Sequence, residues 1–373
     1  MRVLFTCVSG YGHFLPLVPL AQAFHARGDT VLVAAAASHS EQAELAGLEL
    51  LATGLDGQEV DTQFAPARAH SQTLPIADRR RYVFTQRFAL IEAPARVDAL
   101  LERARVFEPD LIVHDASELS AAVVGARLGV PTVHHSFGRM IPWSTIEAAA
   151  PEVAPLWERA GVEPEPHAGM FRGPFVDICP PSLDSDRPPD GTTVLRRRPL
   201  DARASEQTDD RRLVYVTLGT VVRNVATLDV LLAGLADLDA DVLLTTGWQN
   251  DPAELRAIPA NATVERFVPQ DEILPRCSLI VTHAGSGSML GALAHGIPLL
   301  AVPHAADQFE NAAAVAAAGA GRAVMPDDLS ETAIRDAARA LLDDASYVDA
   351  ARAVAAEIAA MPSAAEVAEQ LSL

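Results

Sequence analysis

Short apolar runs alternate along the chain with longer amphipathic stretches and Gly-rich turns. In the first half, apolar runs at 3–8 and 30–35 flank a helical pattern at 15–27 that ends at Gly28. Continuous apolar runs are typical of strands that are covered on both faces, as in parallel sheets. A strand, a Gly-rich turn, a helix and a second strand form a βαβ unit, the building block of a doubly wound sheet.

The second half of the chain repeats this alternation and predicts a second sheet. A Pro-, Arg- and Asp-rich stretch at 186–212 separates the halves and lacks apolar periodicity, which is typical of a linker. We therefore predict an α/β protein of two Rossmann-like doubly wound domains with a ligand cleft between them. The predicted parts are a first domain at 1–195, a linker at 196–212, a second domain at 213–358, and a C-terminal helix at 359–373 that packs back on the first domain.

Two stretches of the first half lack this regularity. Residues 55–74 are polar with few periodic apolar positions, which predicts an irregular segment. Residues 137–175 mix large apolar side chains with Pro and Gly, which predicts loop-like structure over a satellite core or an acceptor pocket. Between them, 79–104 shows helical periodicity.

The turn from His283 to Ser288 is the candidate anion site of the second half. It follows a short apolar run and consists of small residues, including Gly285, Ser286 and Gly287, before an Ala-rich helical pattern. Such a turn lets backbone N–H groups and the positive end of the helix dipole face an anion, with phosphate or diphosphate as the natural candidate. The His283 ring would add a donor. An ordinary packing turn is the alternative, because short Gly-rich turns are common.

Asp307 and Gln308 follow the next predicted strand of the second half. In a parallel sheet they would emerge at the same edge as the small-residue turn, where ligands of open α/β sheets bind. Their side chains could reach hydroxyl groups of the molecule that carries the phosphate. Together with His283 they favour a ligand site over a simple packing turn.

His13 and Asp115 form the candidate acid–base pair of the first half. His13 follows the first predicted strand, and Asp115 follows the strand predicted at 110–113, so both emerge at the carboxyl edge of the sheet. An imidazole in this place suits proton transfer at neutral pH. Asp115 could orient that ring, or it could cap the next helix together with Ser117.

Composition and charge narrow the classes of function. The chain has 373 residues and a formal net charge of −20, which argues against binding a nucleic-acid backbone. No apolar stretch approaches the ~20 residues of a membrane span, and no signal-peptide pattern is present, so we expect a cytoplasmic protein. The 3 cysteines have no zinc or CxxC spacing, and the apolar runs around Cys7 and Cys277 predict that these two are buried free thiols.

Two common cofactors are disfavoured by the sequence. An NAD fingerprint needs a third glycine and an acidic residue at the end of the second strand, but the chain has Leu15 and the alanines at 34–37 there. Asp184 and Asp186 resemble the DxD of metal-dependent sugar transferases. They lie in a Pro-rich turn, and two carboxylates are too few to specify a metal site. We therefore predict neither NAD nor a metal.

The motifs together resemble the inverting, nucleotide-sugar-dependent glycosyltransferases that include bacterial natural-product enzymes. The resemblance covers the whole chain and rests on GHFLPLVPLA, VTLGT and VPQDEILPRCSLIVTHAGSGSMLGALAHGIPLLAVPHAADQFENA. Length and composition are most similar to actinomycete enzymes that attach deoxysugars from dTDP-sugars to polyketide, enediyne or macrolide aglycones. The resemblance implies the GT-B fold of two facing Rossmann-like domains, a nucleotide-sugar donor, a hydrophobic small-molecule acceptor and no required metal. It is compatible with a homodimer.

The resemblance also implies roles for individual residues. His13 matches the general base that deprotonates the acceptor hydroxyl, and Asp115 matches the carboxylate that orients it. Phe267 matches an aromatic that stacks on the base, and the Val268 backbone would read the pyrimidine edge. Thr220 matches a contact to the diphosphate. The other matches are the diphosphate contacts His283, Gly285, Ser286, Gly287 and Ser288 and the donor-sugar contacts Asp307 and Gln308.

One position departs from the family pattern. Relatives often carry a Glu that contacts the ribose hydroxyls three residues after the Ser of the His-Gly motif, and here that position is Gly291. The change favours dTDP over UDP. Two alternative functions stay open, a nucleotide-sugar epimerase of the same fold and a non-catalytic partner subunit that binds nucleotide-sugar. The intact His13 and Asp115 argue against the second.

Overall fold

The structure is a computed structural model that describes residues 1–184, 186–202, 211–219, 224–247 and 250–372. The chain forms two units. The first comprises Met1–Cys179, Ser185–Arg197 and Pro362–Leu373, and the second comprises Pro180–Asp184 and Arg198–Met361. Both units carry a parallel sheet, so the predicted α/β class with two Rossmann-like domains is confirmed.

The first unit is built on seven parallel strands in the order β3-β2-β1-β4-β5-β6-β7. Its strand order reverses between β1 and β4, which is the topological switch point where doubly wound sheets bind ligands. The strands are β1 (Arg2–Thr6), β2 (Thr30–Ala35), β3 (Glu49–Ala52), β4 (Leu111–Asp115), β5 (Thr132–His135), β6 (Phe175–Asp177) and β7 (Val194–Arg196).

Helices connect these strands on both faces of the sheet. They are α1 (Tyr11–Phe14), α2 (Val18–Ala26), α3 (Ser40–Leu45), α4 (Gly57–Ser71), α5 (Ile76–Phe84), α6 (Ala93–Phe107), α7 (Ser120–Leu128) and α8 (Trp143–Ala160). A π-helical segment, Thr85–Glu92, joins α5 to α6. Successive residues of β1 point to opposite faces, so Leu4 packs in one buried cluster while Val3 and Phe5 pack in the other.

The second unit repeats the plan with six parallel strands in the order β10-β9-β8-β11-β12-β13. Its switch point lies between β8 and β11. The strands are β8 (Leu213–Thr217), β9 (Asp241–Thr245), β10 (Ala262–Glu265), β11 (Leu279–Thr282), β12 (Leu299–Ala301) and β13 (Gly321–Ala323). The helices are α9 (Val225–Leu235), α10 (Gln270–Ile273), α11 (Ser286–Ala294), α12 (Gln308–Ala317), α13 (Glu331–Asp343) and α14 (Ala345–Ala360).

The last helix, α15 (Ala364–Gln370), belongs to the first unit. It packs on α2, where the Arg27 guanidinium donates to the Ala368 carbonyl at 2.5 Å and to the Ser372 hydroxyl. Val367 lies in the same buried cluster as β1. Across the described residues, none of the helices is long and apolar enough to cross a membrane.

The prediction that 55–74 is irregular is wrong, because α4 occupies most of it. The Asp56 side chain accepts the Glu59 N–H at 2.9 Å, and the Glu59 carboxylate accepts the Asp56 N–H at 2.9 Å, which forms a capping box. Val60 and Phe64, four residues apart, supply the buried face. Two apolar anchors were too few to stand out against a polar background.

The prediction that 137–175 is loop-like is wrong over Trp143–Ala160, which is α8. Pro151 and Pro155 lie inside this helix and were interpreted as signs of a loop. Both are exposed and four residues apart, so they share the solvent face, while Trp157 is buried on the other side. The helix ends at Gly161, whose φ of 73° suits glycine.

Cys7 and Cys277 are buried and form no disulfide, as predicted, and Cys179 is buried as well. Burial raises the pKa of the Cys7 thiol well above its ordinary value and raises the pKa of Cys277 to about 12. Both thiols are therefore protonated and unreactive at neutral pH.

Candidate active site

His13 and Asp115 lie together at the switch point of the first unit. Gly10, with a φ of 121°, turns the chain after β1 into α1, which carries His13. Asp115 is the last residue of β4, the neighbour of β1. His13 Nδ1 lies 2.9 Å from Asp115 Oδ1. The structure brings the two predicted residues together, and their catalytic roles stay predictions.

The Asp115 carboxylate is held by several donors. It is buried, and it accepts the Val8 N–H at 3.4 Å and the Ser117 N–H at 3.2 Å. Because an ionised carboxylate only accepts, Nδ1 of the neutral His13 ring carries the proton and Nε2 carries the lone pair. The alternative that Asp115 caps the next helix does not hold, because α7 begins only at Ser120.

Two phenyl rings bracket the His13 imidazole. The Phe88 and Phe137 rings meet it edge-on, with centroids 5.5 Å and 4.7 Å from the centroid of the imidazole. The His13 side chain is 15% exposed. The ring is therefore reachable from solvent but surrounded by apolar surface on its flanks.

A buried ion pair lies near His13 and Asp115. Arg96 Nε is 2.9 Å from Glu118 Oε2, and each side chain is 1% exposed. Arg96 Nη1 also donates to the Ala34 carbonyl and to the Thr53 hydroxyl, both at 3.3 Å. Burial raises the pKa of the Glu118 carboxyl, and Arg96 opposes this rise. Removing either partner would leave an uncompensated buried charge.

The small-residue turn of the second unit packs closely around His283. A Cβ added at Gly285 would lie 2.4 Å from His283 Nε2, and one added at Gly219 would lie 2.7 Å from its Cε1. Ala284, between His283 and Gly285, has a φ of 63°, in the left-handed region. The turn opens α11, so the N–H groups of its first residues have no partner within the helix. These are the groups that the sequence predicts to bind a diphosphate.

The directly bonded partners of His283 are uncharged. Burial lowers the pKa of His283 to about 4, while nearby Asp307 and a hydrogen bond to the Thr217 backbone oppose the shift. The Thr282 hydroxyl lies 3.2 Å from Nδ1. The ring is therefore neutral at pH 7 in the absence of an anion.

Asp307 is bonded directly to the small-residue turn. Its Oδ2 accepts the Ser286 hydroxyl at 2.7 Å and the Asn311 amide at 2.9 Å. Asn311 is fully buried and also donates to the Ala284 carbonyl at 3.0 Å. The structure thus joins two predicted donor contacts, Ser286 and Asp307, directly, and Asn311, which was not predicted, donates to both.

Gln308 braces the loop that follows β12. Its Oε1 accepts the His304 N–H at 2.8 Å and the Ala305 N–H at 2.9 Å. Burial lowers the pKa of His304, whose Nδ1 lies 2.7 Å from the Val302 carbonyl. One end of the predicted sugar contact Gln308 is therefore engaged within the protein.

The predicted nucleoside contacts lie around α10. Phe267 is 51% exposed and, with Val268, comes just before this helix. Gln270 Nε2 donates to Ser288 Oγ at 3.1 Å, and a Cβ added at Gly291 would meet Leu274 Cδ1 at 3.3 Å. Thr220, a predicted diphosphate contact, lies outside the described residues.

Comparison with known proteins places these sites in a family. Residues 22–219 match the family described as Erythromycin biosynthesis protein CIII-like, N-terminal domain, and residues 229–373 match the corresponding C-terminal domain. The chain belongs to this family.

Relatives of the chain are glycosyltransferases. Elloramycin glycosyltransferase ElmGT of Streptomyces olivaceus is 34% identical over 100% of this chain and 97% of its own. L-demethylnoviosyl transferase of Streptomyces niveus is 33% identical over 100% and 98%. The crystal structure of glycosyltransferase SsfS6 of Streptomyces sp. SF2575, complexed with thymidine diphosphate, is 27% identical with a TM-score of 0.80, and covers 100% of this chain and 99% of that one. The chain is a natural-product glycosyltransferase with the GT-B fold, as the resemblance predicted.

Several residues that support the sites were not predicted from the sequence. Asn311 carried one usable signal, because it lies four residues after Asp307 and so on the same face of α12. Arg96 and Glu118 carried none, since charged residues are usually exposed. Within the described ranges, no three His, Cys, Asp or Glu side chains converge in a geometry suited to a metal ion.

Proposed function

We propose that the chain transfers a deoxysugar from a dTDP-sugar to a hydroxyl of a hydrophobic natural-product aglycone, with inversion at the anomeric carbon and without a metal. The observation that carries this proposal is the 2.9 Å contact between His13 Nδ1 and Asp115 Oδ1 at the switch point of the first unit. It supports His13 as a general base, because it leaves Nε2 with the lone pair.

The reaction is a single displacement. The acceptor hydroxyl gives its proton to His13 Nε2 while its oxygen attacks the anomeric carbon. The bond from that carbon to the diphosphate oxygen breaks, and its electron pair stays on the diphosphate. The Asp115 carboxylate stabilises the imidazolium that forms and keeps the ring in one tautomer.

The small-residue turn would stabilise the leaving diphosphate. The backbone N–H groups at the start of α11 point outward at the positive end of its dipole, and negative charge grows on the diphosphate as the bond breaks. His283 is neutral without an anion. A bound diphosphate would raise the pKa of its ring, which would then take up a proton and become a stronger hydrogen-bond donor. These donors offer charge stabilisation of the kind that a divalent cation gives elsewhere.

The donor assignment rests on α10 and α11. Gly291 lacks the carboxylate that would contact a ribose 2′-hydroxyl, which favours a deoxyribose nucleotide, and thymidine diphosphate is bound in the related SsfS6 structure. We assign Asp307 Oδ1 and Gln308 Nε2 to the sugar hydroxyls, because the other polar atom of each side chain is bonded within the protein.

The acceptor assignment rests on the surroundings of His13. The Phe88 and Phe137 rings make the approach to the imidazole apolar, which suits a hydrophobic aglycone. The relative ElmGT is named as an elloramycin glycosyltransferase, which supports a natural-product acceptor for this chain.

Replacement of His13 by Ala tests the proposal. With a dTDP-sugar and an accepted aglycone, kcat should fall by about 10²–10⁴-fold, the range of general-base catalysis. The Kd for dTDP should be unchanged, because His13 belongs to the other unit from the diphosphate turn. The control is His25→Ala, an exposed residue at the end of α2, which should keep full activity.

Three further readouts separate the alternatives. Full turnover by His13→Ala would contradict the base assignment. A new nucleotide-sugar formed from donor alone would indicate an epimerase. Equal thermal stabilisation by dTDP and UDP would contradict the donor preference, and the anomeric configuration of the product, read by NMR, tests inversion.

A further inference from the structure

The helical segment that passes the His13 turn is wound as a π-helix. Thr85–Glu92 lies between α5 and α6, and at its end the Ala93 N–H donates to the Phe88 carbonyl, five residues earlier. Short π-helical turns are rare and are often found at functional sites. The sequence pattern at 79–104 predicted only a continuous helix, so this winding is a feature that only the structure reveals.

The π-helical winding brings Arg87 and Glu92 onto one face. Arg87 Nε lies 2.8 Å from Glu92 Oε1, although the two residues are five positions apart. In an α-helix each residue turns the chain by about 100°, so a pair with this spacing would point about 140° apart. An α-helix would therefore not place this ion pair where it is.

The pair forms hydrogen bonds with both the N–H and the carbonyl of Ser9. The Ser9 N–H donates to Glu92 Oε2 at 2.9 Å, and Arg87 Nη2 donates to the Ser9 carbonyl at 3.0 Å. Ser9 is followed by Gly10, whose carbonyl accepts the His13 N–H at 3.0 Å. The ion pair is thus connected to His13 through one residue and one backbone hydrogen bond.

Burial makes this arrangement costly unless every polar atom is used. The Glu92 side chain is 2% exposed and the Arg87 side chain 28%. Both Glu92 oxygens have partners, Oε1 with Arg87 and Oε2 with Ser9. A buried ion pair adds little to stability compared with an apolar pair of the same size, so stability alone is a weak reason for it.

We propose that Arg87 and Glu92 are positioning residues for the transfer reaction, which fix the Ser9 peptide so that the His13 imidazole stays on Asp115 with Nε2 turned to the acceptor. The inference rests on the proposed role of His13 as general base. Small displacements of a catalytic group have large effects, and a shift of about 1 Å can lower turnover by about 10²-fold. Loss of one of two grips on Ser9 should have a smaller effect.

The first variant is Arg87→Met, which keeps the length of the side chain but removes the contacts to Ser9 and Glu92. We expect kcat to fall about tenfold, with the Kd for dTDP and the acceptor KM unchanged. Arg87→Lys restores a charge beside Glu92 but not the planar fork that reaches both partners, so it should recover part of the loss. The matched control is Arg2→Met, which breaks the exposed Arg2–Glu108 pair of the same unit, 3.2 Å apart, and should keep full kcat.

The decisive measurement combines the substitutions. In a His13→Ala background, Arg87→Met should cause no further loss of residual turnover, because the Arg87–Glu92 pair, the clamp on Ser9, acts only through His13. A merely structural role would lower turnover by a similar factor in both backgrounds and would overturn the proposal. Full kcat in Arg87→Met, or a raised acceptor KM with unchanged kcat, would also overturn it.

Failure of a variant to fold and failure of the base assignment can both be distinguished from failure of the role proposed for Arg87 and Glu92. If Arg87→Met does not fold, Glu92→Gln provides the test, since Gln keeps an acceptor for the Ser9 N–H and loses the charge that holds Arg87. If His13→Ala keeps full turnover, the base assignment fails whatever Arg87 does. If His13→Ala is inactive and both clamp variants are fully active, only the clamp fails.

Discussion

Each of the two units places a histidine at the switch point of its sheet, and the two histidines have different surroundings. His13 follows β1 and His283 follows β11, each at the switch point of its sheet. The His13 ring has a buried carboxylate 2.9 Å away, whereas the directly bonded partners of His283 are a backbone carbonyl and the Thr282 hydroxyl. One imidazole has a carboxylate within hydrogen-bonding distance, and the directly bonded partners of the other are neutral.

This difference shows how surroundings assign opposite roles to one residue type. The Asp115 carboxylate orients the His13 ring through Nδ1, which leaves Nε2 for the proposed proton transfer. Burial lowers the pKa of His283 to about 4, so that ring is neutral at pH 7, and the diphosphate that we propose to bind there would favour its charged form. Both histidines lie at a switch point, and the difference between them follows from their partners.

Asp115→Asn removes the difference by giving His13 a neutral partner. The amide has only one acceptor oxygen, and its N–H groups cannot accept the Val8 or Ser117 N–H. The His13 ring therefore loses the contact that orients it. We expect kcat to fall by about 10²–10⁴-fold with an unchanged Kd for dTDP. The matched control is Asp110→Asn just before β4, where an exposed carboxylate accepts the Arg2 N–H at 2.7 Å. Activity of Asp115→Asn within twofold of the unmodified enzyme would contradict the comparison.

Gly285→Ala tests the packing on the other side of the comparison. The added Cβ would lie 2.4 Å from His283 Nε2, so the ring must leave its place beside the turn. We expect kcat/KM for the nucleotide-sugar to fall by about 10–100-fold. This is at or below the usual effect of losing one hydrogen-bond donor to a developing oxyanion. Gly287→Ala is the comparison variant, because its Cβ would have no neighbour within 4 Å and its backbone N–H is kept. Equal losses in the two variants would show that His283 is not the reason.

Much of this arrangement is predictable from the sequence, because backbone order decides it. Parallel strands end at one edge of a sheet, so an imidazole after the first strand and a carboxylate after the fourth had to lie close together. The His-Gly turn was recognisable for a similar reason, since its glycines are needed where the His283 ring packs.

Features that depend on side-chain packing were not predictable in this way. The α4 helix was hidden because only Val60 and Phe64 mark its buried face, and α8 because exposed prolines imitate a loop. The Arg87–Glu92 clamp depends on a five-residue spacing that belongs to neither the α-helical nor the strand period. Asn311 was missed because its three partners come together only when α12 packs on the turn.

The protonation of His283 provides the smallest and most direct test of the comparison. Its folded-state pKa of about 4 lies below the ordinary 6.5, so below pH 6.5 the unfolded chain binds a proton that the folded chain refuses. The free energy of unfolding should therefore fall between pH 6.5 and 4, by about 2 kcal/mol at pH 5 from this residue. His283→Gln should flatten this dependence by that amount, and His25→Gln should not. In NMR titrations the imidazole of His283 should stay neutral down to pH 5 without ligand and should titrate at a higher pH with dTDP bound. A ring that is already charged at pH 6 without dTDP would remove the difference between the two histidines.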